Sequence, residues 1–181
     1  MVTGMDLLKM RNRKEKVDID SLEKRYDIIF PPIFRTFIES FKWIPEMTVD
    51  KIYHYYPYLL GGEITFPFAD IESNLQATKG STDDDIVQRK LILFASSRYG
   101  IFVGTEDENL DKVLISTHSL DGDYKIIANN VFEFLRGVTD NLSDVAETVE
   151  EYRSFMEALG YEDEDLEYEI EDWKIYKQNR N

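Results

Sequence analysis

An α+β fold with an antiparallel-dominated sheet is predicted by three features of the chain. Two short amphipathic segments hinged on Pro31-Pro32 come first. A run of strand-like stretches follows between residues 90 and 128, and a helical pattern resumes after Asn130. Helices gathered at both ends of a strand run indicate α+β architecture.

The elements follow in order. Asp20 is a good N-cap for the first helix, and Glu23, three residues on, completes a capping box. Ile19, Leu22 and Tyr26 share one face at i, i+3, i+7 spacing. Proline is tolerated in a first helical turn because that amide has no intrahelical acceptor. Pro32 therefore opens a second helix showing Ile33, Phe34, Phe37, Ile38 and Phe41 to the core, with Arg35, Thr36, Glu39 and Ser40 toward water. Residues 43–47 form a proline-interrupted connection. Residues 51–60, KIYHYYPYLL, read as extended and end at the Gly61-Gly62 turn. Residues 63–68 alternate as a strand with Ile64, Phe66 and Phe68 on one face, and Pro67 puts it at a sheet edge or ends it.

A helix begins within residues 69–76, and residues 78–85 read as a polar loop. The stretches 90–96, 99–105, 112–116 and 124–128 make a meander of short strands, with 106–111 a charged loop inside it. Asn129 or Asn130 caps a helix bearing Val131, Phe134, Leu135 and Val138. Val145, Val149, Tyr152, Met156 and Leu159 form another helical stripe, bracketed by Ser143 and Gly160. Beyond it Leu166, Ile170 and Trp173 fall at helical spacing, while Leu166, Tyr168 and Ile170 also alternate as a strand would. Both last pieces read as too polar for a second core and are expected to dock on the first domain or on a partner. No period of repeat length recurs. The expected organisation is a loose basic leader (1–16), one α+β domain (17–142) and an acidic helical extension docked on it (143–181).

The chain's 181 residues suit one domain with a real core. An apolar content of 43%, with 11 Phe and 11 Tyr, argues against disorder. The absence of cysteine removes disulfides, thiolate nucleophiles and Cys-type zinc sites. The first residues lack the apolar run of an export signal. No apolar stretch approaches the roughly 20 residues that span a bilayer. A cytoplasmic protein is the expectation.

Net charge is −15, unevenly spread: residues 143–181 hold 13 acids against four bases, a net of −9. Such a field repels phosphate backbones, so nucleic acid is not an expected partner, and neither is a membrane. It speeds encounter with a basic protein instead. The plainer alternative is that an acidic surface only keeps the protein soluble.

Little points to catalysis. Asp107, Asn109 and Asp111 reproduce the first half of a calcium loop, but Lys112 replaces the turn glycine and His118 the closing glutamate. Three adjacent acids, Asp83, Asp84 and Asp85, cannot all converge on one ion, so they read as a solvated loop or a partner-facing patch. His54 and His118 are the only histidines, too few for a His-based metal site or a Ser-His-Asp triad. Ser96-Ser97 read as a strand-end turn with no oriented base. Gly100 and Gly104 are too far apart for a phosphate loop, and Gly100 reads as a bulge or a close backbone approach. No catalytic residue, cofactor or metal is assigned. Among the aromatics Tyr53, His54, Tyr55, Tyr56 and Tyr58, alternate rings point to opposite faces. Either both faces pack under helices or one set is available as interface anchors.

Several short motifs resemble a known family in their order and spacing. They are Ile19-Asp20-x-Leu22-Glu23, Phe30-Pro31-Pro32 with Phe34-x-x-Phe37-Ile38, Leu91-Ile92-Leu93-Phe94-Ala95 leading to Gly100, and Ala128-Asn129-Asn130-x-Phe132-Glu133-Phe134-Leu135. Together they resemble the SUKH (Smi/Knr-type) superfamily over about residues 17–140. Lys42-Trp43-Ile44-Pro45 stands where that family often has Asn-Gly or Gly-Gly. The resemblance implies a non-catalytic α+β binding domain. Bacterial relatives are largely cytoplasmic immunity proteins that block a cognate polymorphic toxin, often a nuclease. Fungal relatives are regulators of cell-wall synthesis acting as interaction scaffolds, which is the alternative reading. On the first reading the chain is a monomer or weak homodimer meeting a basic toxin domain. The expected contact residues are Tyr55, Tyr56, Asp83, Asp84, Asp85, Glu106, Asp107 and Glu108.

Overall fold

The computed structural model describes residues 11–12, 14–42, 53–56, 64–66, 70–80, 90–97, 99–116 and 124–180. Helix α1 (Ile19–Tyr26) is capped by Asp18, whose carboxylate accepts the Ser21 N–H at 3.1 Å. The capping box expected on Asp20 is therefore corrected by two residues. Asp20 sits inside the first turn, where its charge suits the helix dipole. Glu23 does not reach back to the cap: its Oε1 accepts the Phe30 N–H across the turn at 2.8 Å. Ile19 and Leu22 are buried with Tyr26 beside them, as their spacing predicts.

Helix α2 (Pro32–Ser40) has a proline at its cap and another at its first position. Neither side chain can accept a hydrogen bond, so the next two amides need an outside partner. Asp111 supplies it: Oδ2 accepts the Ile33 N–H at 3.1 Å and Oδ1 the Phe34 N–H at 2.9 Å. Phe34, Phe37 and Ile38 are buried by this docking. Ile33 is the exception to the expected face, at 38% exposure. It lies on the turn of α2 that Asp111 holds, outside the helix–sheet contact. Strand β1 (Arg11–Asn12) pairs antiparallel with β2 (Phe41–Lys42), so part of the expected loose leader is ordered against the end of α2.

A four-stranded antiparallel meander forms the centre, in the order β4 (Leu91–Ser96), β5 (Gly100–Gly104), β6 (Val113–Ser116), β7 (Tyr124–Ala128). Two register shifts adjust which side chains reach the core. Leu93 pairs with Phe102 but Ala95 with Ile101, which leaves Phe94 as the extra residue of a bulge. Val113 pairs with Ala128 but Leu114 with Ile126, which does the same to Ile127. Strict alternation would send one of each neighbouring pair outward. The bulges instead place Phe94 with Ala95, and Ile127 with Ala128, in one core. Phe94 is its hub, meeting Phe34 (5.7 Å), Phe37 (5.8 Å), Phe66 (5.7 Å) and Phe134 (6.2 Å) at near-perpendicular angles.

Strand β3 (His54–Tyr55) pairs antiparallel with β8 (Val138–Thr139). Ile64 and Phe66 are buried while Thr65 bridges to Ser96, continuing the sheet at its β4 edge as the alternation predicts. Helix α3 (Ile71–Gly80) starts at Asp70, which accepts the Ser73 N–H at 2.8 Å. It runs to Gly80, through the start of the expected polar loop. Helix α4 (Val131–Arg136) is capped by Asn130, which accepts the Glu133 N–H at 3.0 Å.

The expected single stripe after Ser143 is two helices, α5 (Leu142–Val145) and α6 (Val149–Leu159). Asn141 caps the first and Thr148 the second, so Ser143 is not the cap. Gly160 ends α6 at φ 94°, a left-handed conformation that suits glycine. Residues Asp163–Gln178 form helix α7, and the strand alternative falls away. The extension also builds a core of its own, contrary to the reading that it is too polar. Leu142, Ala146, Tyr152, Met156, Leu166, Ile170 and Trp173 cluster, with Tyr152 stacked on Trp173 at 5.4 Å. Two large rings supply apolar area that a count of the many surrounding acids obscures. Tyr56 packs against this cluster and ties it to the first domain. Among the described residues, no helix is long and apolar enough to cross a membrane.

Two outcomes follow from these contacts. Asp111→Ala strips two helical amides of their acceptor and should lower unfolding stability by about 1–3 kcal/mol in urea, with Asp111→Asn losing less. An unchanged midpoint for Asp111→Ala would show that the cap carries no weight. Burial, foremost, raises the Tyr152 phenol above its ordinary value. The folded state thus keeps a proton that the unfolded chain releases near pH 10, so this contribution is intact below about pH 10 and declines above it. Thermal melts between pH 9 and 11 should fall less steeply for Tyr152→Phe than for the parent chain.

Candidate partner-binding surface

The Asp111 carboxylate joins two segments that are distant in sequence: the first turn of α2, directly after the turn at residues 27–32, and the turn at residues 106–111, between β5 and β6. Lys90, just before β4, holds the second of these segments. Its ammonium bonds Glu106 at 2.8 Å, and this hydrogen bond, aided by Asp27 and Asp107, raises its pKa. The Lys90 carbonyl in turn receives both the N–H and the hydroxyl of Thr105.

The 106–111 turn is held from within. Asp107–Asn109 form one 3-10 turn, with the Leu110 N–H donating to Asp107 and the Asp111 N–H to Gly104. A Cβ on Gly104 would stand 2.2 Å from the Asn109 carbonyl oxygen, so this approach requires glycine. The backbone of such a turn has few ways to rearrange.

The exposed side chains here are of two kinds. Glu106, Asp107 and Glu108 are exposed acids. Leu110, Ile33 and Ile29 are exposed apolar groups, Ile29 the most open at 73%. Leu110 adjoins the aspartate that holds the Ile33 amide, which brings the first turn of α2 to the acidic 106–111 turn, and Ile29 lies on the turn that leads into α2. Beside it a half-open cleft of about 400 Å³ runs between the end of α1 and α3, with Lys79 and Lys90 on its rim.

Both Asp111 oxygens are committed to backbone amides, which takes that residue out of any calcium-like arrangement with Asp107 and Asn109. Among the described residues, no three His, Asp or Glu side chains gather as a metal site would require.

The residues expected to contact a partner separate. Glu106, Asp107 and Glu108 come together on this surface. Tyr55 does not join them: it is buried, its hydroxyl donating to the Ile127 carbonyl at 2.8 Å and its ring 4.9 Å from Phe134. The β3–β8 pairing turns it inward, so a docked partner cannot reach it. Tyr56 is half-buried against the second core. Asp83, Asp84 and Asp85 lie outside the described residues. Sequence reasoning missed Ile29, Ile33 and Leu110. The signal for Leu110 was present, since a leucine inside the charged run Glu106–Asp111 has no local reason to be apolar.

Compared with known proteins, the chain matches no family model, and no curated protein shows detectable similarity to it. The geometry defines the class, an α+β protein whose 106–111 turn presents exposed acids and Leu110.

This placement makes opposite demands of two substitutions. Tyr55→Ala should destabilise the fold by about 3–5 kcal/mol, as truncation of a buried aromatic does. Ile29→Ser should leave stability within about 0.5 kcal/mol. Equal melting temperatures for the two variants would refute the assignment of core and surface.

Proposed function

We propose that this chain is a non-catalytic binding domain of the SUKH immunity type, which neutralises a basic toxin domain by covering it. The observation that carries this reading is the presence of exposed Ile29, Ile33 and Leu110 with the exposed acids Glu106, Asp107 and Glu108 on segments that Asp111 ties together. Exposed aliphatic side chains beside fixed charges suit a macromolecular contact better than a small substrate. Paired N-terminal helices against an antiparallel meander, closed by a helix after Asn130, support the family resemblance.

The mechanism requires no bond to be made. The net charge of −15 draws a cationic partner in and orients it, which acts mainly on the association rate. Ile29, Ile33 and Leu110 then lose water against the partner and slow its release. A turn that is already rigid loses little conformational entropy on docking. An acidic face covering a nuclease's cationic site would also keep nucleic acid from reaching it.

Binding to a basic toxin domain encoded beside this gene, measured by stopped flow and calorimetry, tests the reading. Raising salt from about 0.05 to 1 M should slow association steeply, because the Debye length falls to about 3 Å at 1 M. Neutralising Glu106, Asp107 and Glu108 as amides should flatten that dependence. Leu110→Ser should raise the dissociation rate at least about tenfold with the salt slope intact. Affinity undiminished at molar salt would contradict the electrostatic part, and an unaffected Leu110→Ser would contradict the anchors.

A further inference from the structure

The outer face of α7 carries a second apolar stripe that its core contacts do not use. Leu166, Ile170 and Trp173 fill the tail's own core. On the other side Tyr168 and Ile175 stand 72% and 55% exposed, one heptad apart, and exposed Tyr161 precedes them by another heptad. Glu171 and Asp172 lie between the two helical apolar positions, three or four residues from each, and both are exposed.

The acids of the first turn, Asp163, Glu164 and Asp165, are explained by the helix dipole, which favours negative charge there. Glu171 and Asp172 are beyond that first turn, where the dipole offers them nothing, and Glu171 has Lys174 beside it as an exposed i, i+3 partner of little net worth. Apolar residues one heptad apart with acids between them make a narrow stripe that a partner helix can cover, short of a full coiled-coil seam. That helix needs apolar residues in register with cations beside them. A second copy of this chain fits poorly: a parallel copy sets the seven acids between residues 163 and 172 against their like, and the bases an antiparallel copy would bring, Lys174, Lys177 and Arg180, are engaged with Glu171, Trp173 and Asp144.

We propose that the outer face of α7 docks a basic amphipathic helix of a partner protein, with Tyr168 and Ile175 as anchors and Glu164, Glu171 and Asp172 as its charge-reading groups. This surface belongs to the helical extension and does not depend on the reading of the two turns.

The test uses the full chain and two synthetic three-heptad peptides. One has leucine at the a and d positions and lysine at e and g; the other keeps the lysines and replaces every leucine with serine. Tyr168→Ala/Ile175→Ala should retain the parent melting temperature, since both side chains are exposed. It should bind the leucine peptide at least about tenfold more weakly, while Leu110→Ser binds it as the parent does. The serine peptide should bind the parent at least about tenfold more weakly than the leucine peptide. Equal binding by the double variant, or equal binding of the two peptides, overturns the proposal by reducing the contact to diffuse charge. Sedimentation showing that the parent self-associates through Tyr168 and Ile175 also overturns it, because the occupant would then be a second copy.

Discussion

The bidentate contact from Asp111 to the start of α2 is the constraint on which the rest of the first domain hangs. A helix begun by two prolines lacks a side-chain cap of its own, and its first free amides would lie partly buried without an acceptor. Taking that acceptor from the β5–β6 turn fixes where the helix sits along the sheet. With the helix placed, Phe34 and Phe37 both meet Phe94 at near-right angles. The same carboxylate holds the first turn of α2 beside the 106–111 turn, so one interaction positions the core and composes the candidate surface.

The sheet adapts to that core through its bulges. A strand presents only alternate residues to one face, yet the space beneath α2 and α4 takes consecutive residues from β4 and again from β7. An extra residue in each strand resolves the mismatch at the cost of local pairing. The opposite sheet face carries a smaller cluster of Leu91, Phe102 and Leu114, with Phe102 edge-on to Tyr124 at 5.7 Å. Gly100 belongs to this face: a Cβ there would come within 2.4 Å of the Phe102 ring, so the expected close approach is made by a side chain.

The helical extension is a second packed unit joined to the first through Tyr56 and the α4–β8–α5 stretch. Its polar contacts reinforce the joint: the Trp173 indole donates to the Ser143 carbonyl at 3.3 Å, and Tyr176 and Arg180 both reach Asp144. Crowded acids are tolerated because they project outward from α6 and α7 while the rings face inward. A strongly charged composition and a stacked aromatic core thus coexist in one short segment.

Much of the element plan was legible in the residues, because helical period, strand alternation and caps such as Asn130 and Gly160 act within a few positions of the chain. The acidic rim was legible for the same reason: three charges in a short loop between strands have nowhere to go but outward. What folding alone decided was exposure and partnership. Ile33 reads as core by spacing and is open; Tyr55 reads as an available anchor and is closed; Asp111 reads as one more loop acid and is a helix cap that accepts from the Ile33 amide 78 residues away. Each depends on which distant strand or turn lies alongside, and that pairing is set by the joint packing of the whole core, which no local pattern encodes.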